Sequence, residues 1–335
     1  MGLTHGGNVF AIARDHGWDW REISDHSASI NPLGPAPGVK PAICAALDRI
    51  THYPEPEALQ LARALASIWR VEEDQILLGN GATELIAFLA RIYADSVPVT
   101  LTLPVFSEFH RLFPKARTAG LQRPQTWPPG GFLVLTSPAN PTGQSLSLNS
   151  LRDRLLQSGD PVLIDESFIE FSKLSSATTL LQEHPHLIIL RSLTKFYALP
   201  GLRIGALIAS AGTVRQWKKH REPWQVNSLA EAGTLAAVSD RAHAVQSVTF
   251  VQQERAWLQR QIGSLPGTAP HQSEANFLYV GLTYPAHLLC HHLLTRKILI
   301  RNCTDWPGLA GEGVRVAVRS RAENGRLLGA WREFE

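Results

Sequence analysis

The sequence predicts an α/β fold, with a large domain in which a mostly parallel sheet lies between helices and a small α+β domain built from both termini. Two observations support this fold class. Short apolar runs alternate with segments of helical periodicity through the middle of the chain, a pattern typical of parallel strands buried on both faces. The length of 335 residues, with 44% hydrophobic residues, also suffices for a large core and two domains.

The N-terminal part of the sequence changes from irregular to helical. Residues 1–35 are rich in Gly, Asn, Ser and Pro, so we expect an irregular arm. Helical periodicity follows over about 37–70. It is broken at 53–56, where two prolines lack the N–H that an inner helical turn needs.

The strands are predicted from apolar runs that end in glycine or polar residues. The first run, 76–79, leads through glycines into a helical pattern over 84–93. Further strands of the large domain are expected at 97–103, 132–136, 161–164, 187–190 and 204–209. A helix-rich stretch then precedes short strands, and these segments lie at 213–262, 276–280, 298–301 and 314–318.

The order of these elements suggests three regions. Residues 1–50 are expected to form the N-terminal arm and part of the small domain, 51–235 the large domain, and 236–335 the rest of the small domain. In doubly wound sheets, ligands bind outside the carboxyl ends of the strands. Residues that directly follow the predicted strands are therefore the first candidates for a functional site.

Composition narrows the classes of partner. The net charge is +3 and the basic residues are dispersed, so nucleic acid is not expected as a partner. No apolar run reaches membrane length and the start lacks a signal-peptide pattern, so we expect a cytoplasmic protein without a membrane partner. Cys44, Cys290 and Cys303 are few and scattered, which favours reduced thiols over a disulfide framework or a metal site.

Lys195 is the most informative single residue, because it closely follows the apolar run 187–190. Burial at a strand end lowers the pKa of a lysine, and the neutral amine can then attack an aldehyde. Ser192 and Arg203 offer a hydroxyl and a planar guanidinium, which suit a dianionic phosphate. An aldehyde-binding lysine beside a phosphate site predicts pyridoxal 5'-phosphate as the cofactor. A lone lysine at a strand end is more often a surface residue, so the prediction depends on its neighbours.

Two turn motifs lie at other strand ends. Gly81, Ala82 and Thr83 open a helix, where free backbone N–H groups and the helix dipole can bind a phosphate. Asn140 begins an Asn-Pro-Thr-Gly turn after the strand at 132–136, and its amide can donate to a phenolate oxygen. Both motifs also occur as plain turns, so neither is decisive alone.

Asp165 and Phe106 complete the predicted cofactor site. Asp165 closes the run 162–164, and a carboxylate at a buried strand end needs a partner such as a protonated pyridine nitrogen. A helix N-cap or an ion pair is the simpler alternative for this aspartate. Phe106 can stack on the pyridine ring, although a core phenylalanine would show the same pattern. The order of all these motifs along one chain favours the cofactor site over independent coincidences.

With these motifs in this order, the chain resembles the fold-type I pyridoxal-phosphate enzymes of the class I/II aminotransferase superfamily, most closely the histidinol-phosphate aminotransferase branch. The similarity covers essentially the whole chain and implies a sheet of seven strands. It implies that Lys195 binds the cofactor aldehyde and that Asp165 pairs with the pyridine nitrogen. It also implies that Asn140 contacts the ring oxygen and that Phe106 stacks on the ring face. It assigns the cofactor phosphate to Gly81, Ala82, Thr83, Ser192 and Arg203.

The resemblance implies three further features. Tyr53, in a His-Tyr-Pro sequence, matches the tyrosine that reaches the cofactor phosphate of the neighbouring subunit, so a homodimer with shared active sites is expected. Arg315 matches the arginine that binds the substrate carboxylate. The family usually has a tyrosine three residues after the aspartate, whereas this chain has Phe168. The missing hydroxyl argues against ordinary transamination.

The N-terminal arm resembles one branch, the threonine-phosphate decarboxylases of cobalamin biosynthesis, as do the segments 300–303 and 306–309. This branch converts O-phospho-L-threonine to (R)-1-amino-2-propanol phosphate, and O-phosphoserine is a second candidate substrate. Such a small phosphorylated amino acid carries two anionic groups, so its site needs more than one arginine. The expected substrate-binding residues are His5, Gly6, Gly7, Asn8, Asn31, Arg301 and Arg315.

Two alternatives stay open. The cofactor weakens whichever bond at Cα stands perpendicular to its ring, and the sequence does not report that orientation, so an aminotransferase acting on histidinol phosphate or an aromatic amino acid is the main alternative. For the proton transfer at Cα, Lys195 and Tyr53 are the candidates. A non-catalytic role in a transcription regulator would need a DNA-binding segment, for which the residues before 37 leave no room. The presence of both Lys195 and Asp165 also argues against such a role.

Overall fold

The computed structural model describes residues 6–334. Its strands are β1 (Ser24–Asp25), β2 (Ile76–Gly79), β3 (Val99–Leu103), β4 (Arg117–Gly120), β5 (Phe132–Thr136), β6 (Val162–Asp165), β7 (Leu187–Ser192), β8 (Gly205–Ile208), β9 (Thr268–Pro270), β10 (Phe277–Leu282), β11 (Ile298–Leu299), β12 (Arg301–Asn302) and β13 (Glu312–Ala317). Its helices are α1 (Val9–His16), α2 (Val39–Ala45), α3 (Leu59–Trp69), α4 (Ala82–Tyr93), α5 (Ser107–Leu112), α6 (Leu148–Gln157), α7 (Leu193–Phe196), α8 (Ala211–Lys218), α9 (Ser228–Ser239), α10 (Arg241–Gly263), α11 (Ala286–Thr295) and α12 (Arg321–Arg332).

Seven strands form the central sheet, in the order β2-β8-β7-β6-β5-β3-β4. Neighbouring strands are parallel from β7 through to β4, whereas β8 runs antiparallel to both β2 and β7. The predicted α/β class with a mostly parallel sheet is therefore confirmed. Because β3, β5, β6 and β7 run in one direction, their carboxyl ends meet at one edge of the sheet.

The central strands read as continuous apolar runs because both faces of the sheet are covered. In β5, Leu133 and Leu135 pack into one apolar layer, and Phe132 and Val134 pack into the layer on the opposite face. Burying a side chain of this size contributes about 1.5–3 kcal/mol. Both layers therefore hold the strand in place, and its carboxyl end is fixed relative to those of its neighbours.

A second, antiparallel sheet forms near the C-terminus, in the order β12-β13-β10-β9. Beside it, β1 pairs with β11 in parallel, with Ser24 opposite Ile298. This pair brings the N-terminal arm against the C-terminal part of the chain. The buried His26 fixes the same junction, because its Nδ1 lies 3.0 Å from the carbonyl oxygen of Ala317. The domain limits at residues 50 and 235 stay a prediction.

Two local features differ from the sequence prediction. The expectation of a wholly irregular arm is wrong, because α1 forms there with Ile12 and Ala13 buried and Gly17 as its left-handed C-cap. The sequence also misses β4, an edge strand whose side chains are exposed or half-buried and show no apolar period. Within residues 6–334, the helices are all too short or too polar to cross a membrane.

Candidate active site

A cavity of about 200 Å³ opens at the carboxyl edge of the central sheet and extends to β12 and β13. The predicted cofactor-binding residues that line it are Ala82, Thr83, Phe106, Asn140, Asp165, Ser192, Lys195 and Arg203. The predicted substrate-binding residues that line it are Gly6, Arg301 and Arg315. Residues far apart in the sequence meet here because β3, β5, β6 and β7 all end at this edge.

One end of the cavity is the N-terminus of α4. The helix begins at Ala82, directly after Gly81, whose φ of 83° is a conformation that favours glycine. A Cβ at Gly81 would lie only 2.5 Å from Nη2 of Arg203, so the missing side chain leaves room for the guanidinium. Backbone N–H groups of the first helical turn and one arginine thus meet at a site suited to a phosphate.

Hydroxyl groups from β7 and α7 complete this anion site. The Oγ of Ser192 and the Oγ1 of Thr194 lie 2.8 Å apart, and both side chains are buried and line the cavity. Arg203 has a left-handed backbone with φ of 55° and donates from Nη1 to the carbonyl oxygen of Pro200 at 3.3 Å. Arg203 also lines the cavity. This donor set matches the charge and hydrogen-bonding capacity of a phosphate dianion.

Asp165 and Lys195 occupy the middle of the cavity. The Oδ1 of Asp165 accepts from the backbone N–H of Ser167 at 2.9 Å, and burial raises the pKa of this carboxyl group to about 6. Burial, reinforced by Arg315 and Arg203, lowers the pKa of Lys195 to about 8. At neutral pH the carboxylate is therefore mostly ionised, and a useful fraction of the lysine is neutral.

A buried ion network fixes the two strand ends that carry these groups. Arg191 on β7 forms ion pairs with Glu166 at 2.9 Å and with Glu170 at 2.7 Å. Glu166 follows Asp165 in the chain, and Arg191 precedes Ser192. Breaking a buried pair of this kind typically costs about 3–5 kcal/mol, so the network resists any change in the spacing of Asp165 and Ser192.

Arg315 on β13 reaches across to the loop that follows β5. It donates from Nη1 to Oδ1 of Asn140 and from Nη2 to the carbonyl oxygen of Ser27, both at 2.6 Å. Its Nε is buried without a hydrogen-bond partner among residues 6–334. Its guanidinium also lies 5.3 Å from the ring centroid of Phe277. Asn140 uses its oxygen for Arg315, so its amide N–H groups are the ones it can offer to a ligand.

Arg301 supplies a second guanidinium to the same cavity. Arg301 and Arg315 are direct antiparallel partners on β12 and β13. Burial lowers the pKa of Arg301, and its guanidinium lies 5.8 Å from the ring centroid of Trp306. Two cations that converge on one small cavity suit a ligand with two anionic groups.

The N-terminal arm lies beside these arginines. Gly6 lines the cavity and approaches Ser27 so closely that a Cβ would lie 2.2 Å from its carbonyl oxygen. The backbone N–H of Gly7 donates to Oγ of Ser27 at 2.9 Å. Asn8 precedes α1 and lines an adjoining cavity of about 480 Å³. His5 lies outside the described residues.

Asn31 lies behind the cavity rather than on its wall. Its Nδ2 donates to the carbonyl oxygen of Phe196 and to Oγ of Ser247, both at 2.8 Å. Its backbone N–H donates to the carbonyl oxygen of Lys195 at 3.0 Å. Asn31 thus supports the backbone of the lysine, and its amide group is already paired with protein atoms.

Tyr53 lies on the surface of the chain, with a relative exposure of 81% for the whole residue. Its ring stacks on Trp224, with 4.6 Å between the ring centroids. The structure therefore does not bring Tyr53 into the cavity of the same chain. A contact with the cofactor of a neighbouring subunit stays a prediction.

The cavity wall contains several residues that sequence reasoning did not select, namely Ser27, Ser29, Thr194, Ser107 and Trp306. The hydroxyl groups of Ser29 and Ser107 are buried without partners among residues 6–334, as expected for a site that holds a polar ligand. Thr194 had a sequence signal, because it directly precedes Lys195. The others lie in loops or, for Ser107, at the start of α5, and their sequence does not indicate what they contact.

Comparison with known proteins agrees with this geometry. The sequence profile of the family "Aminotransferase class I and II" matches residues 27–330. A threonine-phosphate decarboxylase from Salmonella typhimurium is 34% identical over 349 residues, which span 98% of this chain and 96% of that protein.

Two solved structures share the fold. L-threonine-O-3-phosphate decarboxylase from Porphyromonas gingivalis has a TM-score of 0.84 and 22% identity, and the match covers 92% of this chain and 98% of that one. Histidinol-phosphate aminotransferase from Sinorhizobium meliloti, in complex with pyridoxal 5'-phosphate, has a TM-score of 0.85 and 24% identity, over 98% of this chain and 94% of that one.

The residues present fit pyridoxal 5'-phosphate. The space beside Gly81 and the hydroxyl groups of Ser192 and Thr194 suit its phosphate. The buried carboxylate of Asp165 suits a protonated ring nitrogen, and the amine of Lys195 suits an aldehyde. Together with the profile match over most of the sequence, this site shows that the chain belongs to the class I and II aminotransferase family.

Proposed function

We propose that the protein is a pyridoxal-phosphate-dependent decarboxylase that converts O-phospho-L-threonine to (R)-1-amino-2-propanol O-2-phosphate, used for the nucleotide loop of cobalamin. The observation that carries this proposal is the pair Arg301 and Arg315, which reach one cavity beside Lys195. A substrate with both a carboxylate and a phosphate needs two such cations. The similarity to the Salmonella decarboxylase over nearly the whole chain supports the same substrate.

Pyridoxal 5'-phosphate is the cofactor. The N-terminus of α4, with Ser192, Thr194 and Arg203, would hold its phosphate, and Phe106 and Asp165 would hold its ring. When bound, this cofactor supplies an electron sink for the bond that breaks at Cα. Asp165 is mostly ionised at neutral pH, since its pKa is about 6, and can keep a proton on the ring nitrogen.

Arg315 and Arg301 would orient the substrate. Arg315 binds the carboxylate in this proposal, because its Nε is buried and has no partner among the described residues. Arg301 binds the phosphate from the neighbouring strand. The bond that breaks is the one held perpendicular to the cofactor ring. The orientation that Arg315 gives to the carboxylate therefore decides between loss of CO2 and loss of the Cα proton.

Lys195 would manage the proton that follows decarboxylation. After CO2 leaves, Cα must gain a proton, and the donor needs a pKa near neutrality. With a pKa of about 8, Nζ of Lys195 can deliver this proton and regain it from solvent. Phe168 lines the cavity and packs edge-on against Phe277, with 4.9 Å between ring centroids. No hydroxyl is therefore present at the position where the family usually has tyrosine.

We also propose a homodimer in which Tyr53 reaches the cofactor phosphate of the partner subunit. The exposed position of Tyr53, outside the cavity of its own chain, supports this arrangement. A cytoplasmic location is proposed as well. The free thiols of Cys44, Cys290 and Cys303 support it, because disulfides are rare in that compartment.

The test is a comparison of two reactions by the purified holoenzyme. With O-phospho-L-threonine alone, we expect stoichiometric release of CO2 and formation of aminopropanol phosphate, without 2-oxoglutarate and without a keto acid. The second reaction contains histidinol phosphate and 2-oxoglutarate. Formation of glutamate in the second reaction, with no CO2 in the first, would show that the protein is an aminotransferase and not a decarboxylase. A parallel assay with O-phosphoserine measures the contribution of the substrate methyl group, expected to be about 1–3 kcal/mol.

A further inference from the structure

The turn between β12 and β13 is rigidly held by the small sheet. The backbone N–H of Cys303 donates to the carbonyl oxygen of Gly313 at 2.8 Å. The Oγ1 of Thr304 donates to Oε2 of Glu312 at 2.9 Å. The same carboxylate oxygen accepts from the backbone N–H of Ala286 at 2.7 Å. The turn is therefore anchored to β13 and to the start of α11.

Trp306 projects from this turn onto the loop that carries Phe106. Its side chain is buried, and its Nε1 donates to the carbonyl oxygen of Val105 at 3.0 Å. Val105 directly precedes Phe106, which lines the cofactor site. Two residues further along the turn, Gly308 approaches so closely that a Cβ would lie 2.4 Å from Cβ of Leu103. The turn thus contacts the β3–α5 loop through Trp306 and the end of β3 through Gly308.

The same indole ring lies beside Arg301. The centre of the guanidinium is 5.8 Å from the ring centroid, and both residues line the active-site cavity. Contacts of this kind between a cation and an aromatic face contribute about 0.5–2 kcal/mol, depending on desolvation. Trp306 is therefore placed between a candidate substrate-binding cation and the backbone next to the candidate ring-stacking residue.

We propose that Trp306 is a positioning residue that holds Phe106 against the cofactor ring through Val105 and holds Arg301 toward the substrate phosphate through its ring face. The second half rests on the proposed function. The two halves use different parts of one side chain, the indole N–H and the aromatic face. Substitutions that remove one or both parts can therefore separate them.

Two variants of Trp306 and one control test the proposal. Trp306→Phe keeps an aromatic ring beside Arg301 but leaves the buried carbonyl of Val105 without its donor. Trp306→Met removes both the donor and the ring while filling similar volume. Trp127→Phe is the matched control, because Trp127 is also buried and donates from Nε1 to the carbonyl oxygen of Gly120 at 3.0 Å, away from the cavity. The readouts are the rate at which the holoenzyme loses its visible cofactor absorbance on dilution into a cofactor scavenger, and kcat/KM for phosphothreonine and for threonine.

The expected results differ between the variants. Trp306→Phe should lose cofactor about tenfold faster than wild type, within the range for one unpaired buried acceptor, with the preference for phosphothreonine over threonine unchanged within about twofold. Trp306→Met should lose cofactor at least as fast and should also lower that preference by about three- to tenfold. Trp127→Phe should change neither quantity beyond about twofold.

A different result would contradict each half of the proposal. If Trp306→Phe retained the cofactor as well as Trp127→Phe, the contact with Val105 would have no positioning role. If Trp306→Met kept the full preference for the phosphorylated substrate, the contact with Arg301 would have none. If wild type did not decarboxylate phosphothreonine, the proposed function would fail together with the Arg301 half. The cofactor-loss comparison would then still decide the role of Trp306 toward Phe106.

Discussion

Arg301 and Arg315 stand directly opposite each other on the antiparallel strands β12 and β13, and both line one cavity. Like charges at directly opposite positions destabilise a strand pair. Burial, opposed by Cys303 and reinforced by Arg301, lowers the pKa of Arg315 to about 10, which still leaves it charged at neutral pH. An anionic ligand between the two guanidinium groups would relieve this repulsion.

This arrangement predicts different effects for the two arginines. Arg301→Ala should lower kcat/KM for phosphothreonine by about ten- to a hundredfold, the value of one charge-assisted hydrogen bond, with a smaller effect on threonine. Arg315→Ala should lower kcat/KM for both substrates alike, because both carry the carboxylate. Steady-state assays of the four enzyme and substrate pairs check this. If Arg301→Ala lowered kcat/KM equally for both substrates, Arg301 would not be a ligand of the substrate phosphate.

Lys195 predicts how cofactor attachment depends on pH. Attack on the aldehyde requires the neutral amine, and the pKa of Lys195 is about 8. The rate at which cofactor-free protein gains visible absorbance after addition of pyridoxal 5'-phosphate should therefore rise through pH 8 and level off above about pH 9. Lys195→Ala should gain no such absorbance and should have no activity. A rate that falls between pH 7 and 9 would contradict a lowered lysine pKa.

Substitution of Asp165 should have opposite effects on the stability of the cofactor-free protein and on activity. Its folded pKa of about 6 lies above the ordinary value of 3.8, so ionisation costs the cofactor-free protein stability as pH rises from about 4 to above 6. Asp165→Asn should relieve this cost and stabilise cofactor-free protein at pH 7.5 by up to about 3 kcal/mol. The same variant should lose about a hundredfold or more in activity, because it removes the charge opposite the ring nitrogen.

The measurement for Asp165→Asn is urea unfolding of cofactor-free protein at two pH values. At pH 4.5 the folded carboxyl group is mostly protonated but the unfolded one is already largely ionised, so the variant should be more stable by only about 1 kcal/mol. At pH 7.5 the variant should be the more stable protein. Equal stability at both pH values, with full activity, would mean that Asp165 is neither strained by burial nor needed for the cofactor.

The close contact at Gly81 leads us to expect that one added methyl group disturbs the candidate phosphate site. Gly81→Ala places a Cβ only 2.5 Å from Nη2 of Arg203. It also forces alanine into a backbone conformation with φ of 83° and ψ of 163°, which is essentially restricted to glycine and costs about 1–3 kcal/mol. We expect lower thermal stability and at least tenfold faster cofactor loss. Gly159→Ala is the control, because nothing lies within 4 Å of a Cβ there. Comparable cofactor retention by the two variants would argue against the phosphate site.

If Tyr53 contacts the cofactor of the partner subunit, two different variant chains should restore cofactor retention when they form a mixed dimer. Tyr53→Phe keeps the ring stack on Trp224 but removes the hydroxyl group, so cofactor loss should be about fivefold faster. A dimer mixed from Tyr53→Phe and Lys195→Ala chains contains one site with a wild-type lysine and a wild-type partner tyrosine. That site should show wild-type retention. A mixed sample that loses cofactor at the Tyr53→Phe rate, or an active monomer at assay concentration, would exclude shared sites.

The sequence by itself determined the fold class and the order of the cofactor motifs. This succeeded because strands buried on both faces must be apolar along their whole length, as in β5 and β7. Residues that follow such strands share one edge of a parallel sheet. Lys195 and Asp165 were therefore recognised from their position after apolar runs, and their assignment to one cavity followed from topology.

Only the tertiary structure decided which loops face that cavity and how its charges are paired. The hydrogen bonds from Arg315 to Asn140 and Ser27, and from Trp306 to Val105, join residues 175 to 288 positions apart. No local pattern encodes such contacts, because they depend on the packing of the small sheet against the large one. The edge strand β4 and helix α1 escaped sequence reasoning for a related reason. The side chains of β4 are exposed or half-buried and show no apolar period, and α1 is only eight residues long, so packing against the finished fold determines both.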